Sequence, residues 1–74
     1  MSYQKRWSYA QVTREAESEI TRLMQQETAN SDERHLLTCM AMGAFAMWDH
    51  LTSGWQNAGD RERLQALYRP SERA

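Results

Sequence analysis

The sequence predicts an all-α fold: an antiparallel helical hairpin with a short C-terminal third helix, dimerising into a helical bundle. Three observations lead there. Ala, Leu, Met, Glu, Gln and Arg dominate, all good helix formers. Val12 and Ile20 are the only β-branched apolar residues, too few for a sheet. Apolar residues recur three and four apart in two long segments, which is the period of one helix face.

Residues 1–7 read as a loose arm, and the first helix is predicted over 8–29. The run "SYAQ" from Ser8 to Gln11 is a capping box, in which each end supplies the other's unpaired amide with an acceptor. Trp7 before the cap and Val12 after it have the spacing of a hydrophobic staple. Val12, Ala16, Ile20 and Leu23 follow at steps of four, four and three, with Tyr9 and Met24 on the same side. They make a narrow apolar stripe. The polar run "NSDE" then marks a turn and a second start. Asn30 or Ser31 can cap, and Asp32 and Glu33 suit the positive end of a new helix.

The second helix is predicted over 32–56. At about 100° per residue, Leu37, Met40, Ala41, Ala44, Met47, Trp48, Leu51 and Trp55 fall on one broad face, with Phe45 and Met42 to one flank and Leu36 to the other. A helix that is apolar nearly all round is covered on more than one side. The spacing of Trp48, Leu51 and Trp55 favours a helix that runs on to a stop at Gly59 over one ending at Gly54. Asp60 is then expected to cap a third helix over 60–69, with Leu64, Leu67 and Tyr68 inside and Pro70 ending it. Residues 70–74 read as a frayed tail. The expected core is Val12, Ala16, Ile20, Leu23, Leu37, Ala44, Trp48, Leu51 and Leu64.

Composition narrows the function. A chain of 74 residues makes one small domain, which is marginal without support from cross-links, metal or association. Cys39 is the single cysteine, so no disulfide closes within the chain, and a lone thiol suits a reducing, cytoplasmic setting. No segment has the roughly 20 apolar residues of a membrane span. Lys5 and Arg6 precede no apolar run, so the first residues do not read as a signal peptide. Nine basic residues stand against ten acidic ones, so the basic excess that drives phosphate-backbone binding is lacking.

Candidate chemical sites are thin. His35 and Cys39 are one helical turn apart, as metal ligands can be, but structural zinc takes four ligands. His50 lies eleven residues beyond Cys39, about 16 Å along a helix, so one chain cannot chelate with both. As nucleophile and base, Cys39 and His35 lack a third orienting group and an oxyanion site, and the adjacent Asp49 and His50 point to different sides. The expectation is therefore no enzyme, no cofactor and no metal.

What remains is a protein-interaction module: a regulator, adaptor or inhibitor that pairs with itself and with another protein of unknown identity. Cys39, Gly43, Ala46 and His50 form a strip of mostly small side chains, which together with Met42 is the expected dimer interface. Trp55, Arg61 and Tyr68 are the expected contacts to another protein, since Trp, Tyr and Arg are enriched at interface hot spots. The competing reading is a nucleic-acid-binding regulator that uses the aromatic and basic arm "YQKRWSY" with Arg61, Arg63 and Arg69 of the third helix.

Overall fold

The computed structural model of the protein describes residues 7–69, which form three helices. They are α1 (Tyr9–Gln25), α2 (Ser31–Leu51) and α3 (Asp60–Tyr68). Helices α1 and α2 form the hairpin, and α3 packs against both. The all-α class and the element order follow the sequence. The arm at 1–6 and the tail at 70–74 lie outside the described residues.

The expected N-terminal caps of α1 and α2 form. Ser8 Oγ accepts from the Gln11 amide at 3.1 Å, and Gln11 Oε1 accepts from the Ser8 amide at 2.9 Å. Asn30 Oδ1 accepts from the Glu33 amide at 2.9 Å, while Glu33 reaches back to the Ala29 amide at 2.8 Å. Together these bonds satisfy amides that have no partner within a helix.

The helix ends differ from the sequence expectation. Helix α1 stops at Gln25, four residues early, because Gln26 turns to extended backbone. Arg34 holds that turn from the first part of α2, donating to the carbonyls of Met24 at 3.0 Å and Gln26 at 2.7 Å. One guanidinium thus satisfies two carbonyls at the end of α1 and ties them to α2. Helix α2 stops at Leu51 and not near residue 56, and Gly54 takes a left-handed φ of 93° that a continuing helix does not contain. Helix α3 is capped by Gly59, again left-handed, with no side-chain cap, so Asp60 is its first residue and not its cap.

The buried apolar core comprises Ile20, Leu23, Ala41, Phe45, Trp48, Leu64 and Tyr68. Val12, Ala16, Leu37 and Ala44 pack against it while partly exposed. Two corrections follow. Leu51 is 55 % exposed and leaves the core, and Phe45 enters it. The reason is α3. It docks on the Phe45 side of α2, setting the Tyr68 ring 5.7 Å from Phe45 and the Arg61 guanidinium over the Phe45 ring. The buried side of α2 therefore centres on Ala41, Phe45 and Trp48, rotated away from Leu51.

Two threonines complete this core. Trp48 Nε1 donates to the buried Thr13 hydroxyl at 2.9 Å. Thr52 donates to the Trp48 carbonyl at 2.7 Å and receives the Gln56 amide at 3.0 Å. No buried side-chain polar atom among the described residues lacks a hydrogen-bond partner. Thr13 also resets the stripe of α1. The inward line is Tyr9, Thr13, Ala16, Ile20 and Leu23, at steps of four, three, four and three, which is heptad spacing.

Tyr9 fastens the start of α1 to the loop before α3. Its hydroxyl donates to Asp60 Oδ2 at 2.7 Å and accepts from the Asn57 amide at 3.0 Å. The Asp60 carboxyl is held below its usual 3.8 chiefly by that hydroxyl, with Arg63 adding to the effect. A carboxyl lowered by folding stabilises the fold above its unfolded value, and the contribution is lost as pH falls through the folded value. Tyr9→Phe removes both bonds, at roughly 0.5–1.5 kcal/mol each. Denaturant melts at pH 7 are expected to show a loss of about 1–3 kcal/mol. Between pH 7 and pH 3 the variant is expected to lose less stability than the wild type. An unchanged midpoint at pH 7 would remove the clamp from the account.

Candidate functional site

The outer face of α2 is the outstanding surface of the chain. Leu36 is 60 % exposed, Met40 49 %, Met47 60 % and Leu51 55 %. They lie at steps of four, seven and four, and Gly43 falls in the middle step. At about 100° per residue, all five sit within ~80° of arc. The four large side chains and the glycine thus form one apolar seam along α2, roughly 130° round the helix from the side that Ala41, Phe45 and Trp48 bury. Scattered apolar residues on a surface are ordinary, but a continuous line of them marks a contact surface.

Of the residues expected at a dimer interface, Gly43, His50 and Cys39 lie at one edge of this seam, and Ala46 and Met42 lie further round the helix. Cys39, Met42, Gly43, Ala46 and His50 are all exposed. A Cβ added at Gly43 would meet nothing within 4 Å, so nothing within one chain requires a glycine there. The sequence reading placed Met40 and Met47 on one broad apolar face together with Ala41 and Trp48. The two methionines belong to the exposed seam, and the small strip is its flank.

The three residues expected to contact another protein separate. Trp55 is half exposed, with one face against the Tyr9 ring at 5.4 Å between centroids. Arg61 is exposed, pairs with Asp49 at 3.2 Å and covers Phe45. Tyr68 is buried, only 5 % exposed, so it serves the core and not a partner surface. It faces inward because Leu64 and Tyr68, one turn apart, both meet the hairpin.

Three of the four charged side chains of α3, Asp60, Arg61 and Arg63, pair within the chain. Arg63 pairs with Glu17 at 2.6 Å and with Asp60 at 3.2 Å, and Arg61 holds Asp49. The Asp49 carboxyl is lowered first by the Gln56 amide and then by Arg61. Two of the three arginines that the nucleic-acid reading relied on thus face carboxylates of their own molecule.

His35 Nε2 lies 3.6 Å from Cys39 Sγ, in the open. No third group stands beside them, and no cluster of three or more His, Cys, Asp or Glu that could hold a metal ion occurs among the described residues. No helix among the described residues is long and apolar enough to cross a membrane. Comparison with protein-family models, with curated proteins and with solved structures gives no match to this chain. The surface itself is therefore the guide to function.

Two contacts that shape the fold escaped sequence reasoning. Arg34 and Tyr9 both make contacts across the fold that no local motif signals. The seam had a signal: Leu36, Met40, Met47 and Leu51 cluster within a narrower arc than the broad face assigned to them. Which side faced α1 depended on α3, and α3 was too short to read for direction.

Proposed function

We propose that the protein is a non-enzymatic interaction module that pairs with a second copy of itself through the outer face of α2, and in that form regulates, adapts or inhibits another protein. The observation that carries this reading is the exposed seam of Leu36, Met40, Met47 and Leu51. Fully burying one Leu or Met contributes roughly 1.5–3 kcal/mol. About half of each of these four side chains is in water, so covering them in both copies contributes roughly 6–12 kcal/mol before the cost of association. That cost is about 4–15 kcal/mol, so the seam alone leaves at most about 8 kcal/mol net, a micromolar pairing at its tightest. Met suits such a surface because its flexible thioether adapts to a partner's shape. Trp55 and Arg61, at the α3 end of the molecule, remain the proposed contacts to another protein.

Light scattering behind a sizing column tests the pairing. At tens of micromolar, the mass is expected to be twice the 8.7 kDa of one chain, falling towards one chain on dilution below the micromolar range. Added salt is expected to leave the dimer intact, because apolar association is not weakened by screening. A monomer at every concentration would overturn the second copy as partner.

A further inference from the structure

We infer that the second copy lies antiparallel on α2, about a two-fold axis through the point between Gly43 and Ala44, so that Leu36 of each chain meets Leu51 of the other and each Met40 meets Met47. The inference rests on the pairing proposed above and fixes its geometry.

The seam is symmetric about its own centre. Leu36 and Leu51 are equally distant from that point, and so are Met40 and Met47. Reversing the helix therefore lays leucine on leucine and methionine on methionine. A two-fold interface needs this self-complementarity, since every contact of residue i with residue j is made twice. The matched residues are also similar in exposure, between 49 % and 60 %. At the centre stands Gly43, whose missing side chain serves nothing within one chain. At a helix crossing it lets the two backbones approach.

Extent and charge agree. From Leu36 to Leu51 the seam runs about 22 Å, roughly three-quarters of the 21-residue helix. Covering the seam in both copies removes roughly 240–480 Å² of apolar surface from water, which suits a weak and reversible pairing. Asp32 and Glu33 occupy the first turn of α2, and His50 the last. Antiparallel pairing brings the acidic, dipole-positive end of one α2 to the dipole-negative end carrying His50 in the other. Parallel pairing would instead set Asp32 and Glu33 beside their own copies, which is repulsive.

Disulfide trapping separates the arrangements. Two chains are made in a Cys39→Ser background, one with Leu36→Cys and one with Leu51→Cys. Both positions are exposed, so each chain is expected to keep the wild-type circular dichroism. Each is first shown by light scattering to be dimeric. In a glutathione redox buffer, the mixture of the two is expected to give a cross-linked heterodimer, while each chain alone stays uncross-linked. Two Leu36→Cys positions would then be about 22 Å apart, far beyond disulfide reach. Cross-linking of either chain with itself would establish parallel pairing and overturn the inference. Dimers that trap in no combination would overturn the register while leaving the pairing. Monomers throughout, in the wild type as well, would overturn both.

Discussion

Trp48→Ala is expected to unfold the protein. Trp48 is 1 % exposed and is the largest fully buried side chain among the described residues. It meets Phe45 at 5.8 Å and Tyr9 at 6.4 Å between ring centroids, and its indole N–H holds Thr13. Removing a large aromatic from a core costs about 3–5 kcal/mol. The Thr13 hydroxyl would also lose its donor in a buried place, which adds to the cost. At roughly 0.05–0.15 kcal/mol per residue, a chain of 74 residues holds only about 4–11 kcal/mol in total. Far-UV circular dichroism at 25 °C is expected to show most of the helix lost. Trp55→Ala makes the contrast. Half of that ring is already in water, and its loss removes chiefly the pair with Tyr9, worth about 0.5–1.5 kcal/mol beyond area. It is expected to keep its helix. A cooperative melt of Trp48→Ala close to the wild type would contradict this account of the core.

The contrast between these tryptophans shows what the sequence could tell. Helix existence was legible because it depends on neighbours in the chain: the Ser8 and Asn30 caps, the acidic first turn of α2, the three-and-four spacing of α1. Each is local physics, and each formed. The burial of Trp48, Ile20 and Leu64 was legible too, because a large apolar residue central to a stripe has nowhere else to go.

What stayed hidden was the direction in which α2 faces. Its apolar residues run nearly round the cylinder, so periodicity alone offers several inner sides. The choice is made by α3, a nine-residue helix whose Leu64 and Tyr68 cap the Phe45 side. That choice rests on contacts between residues far apart in sequence, such as Tyr9 with Asp60 across 51 positions. It exposes Leu51 and buries Phe45, the reverse of the sequence expectation. The end of α2 was misplaced for a related reason. Spacing of Trp48, Leu51 and Trp55 fits a continuing helix, but Thr52 turns its hydroxyl back to the Trp48 carbonyl and Gly54 takes the left-handed turn. The candidate surface was legible as excess, in that α2 carries more apolar side chains than α1 can cover. Its position was not.

Placing charge in the centre of that surface is expected to abolish pairing without unfolding the chain. Met40→Asp with Met47→Asp alters two side chains of which about half or more stands in water, so the single chain loses helix propensity, up to about 0.7 kcal/mol per residue, and only the covered part of each methionine. The dimer loses more. Four half-covered methionines contribute roughly 3–6 kcal/mol across the two copies, equivalent to a rise of about 10²–10⁴-fold in the dissociation constant. Four carboxylates meeting in place of the methionines raise it further. Analytical ultracentrifugation is expected to show a monomer at concentrations where the wild type is paired, with the circular dichroism melt nearly unmoved. A second variant shows that this effect is specific to the antiparallel register. In a chain carrying Met40→Asp and Met47→Lys, antiparallel pairing sets each new carboxylate against a new ammonium, twice per dimer. Parallel pairing sets like against like. Opposite charges attract and like charges cost several kcal/mol across an interface. The mixed-charge chain is therefore expected to pair more tightly than the double aspartate, and added salt is expected to narrow the difference. Equal weakness of the two variants at low salt would mean that Met40 does not face Met47.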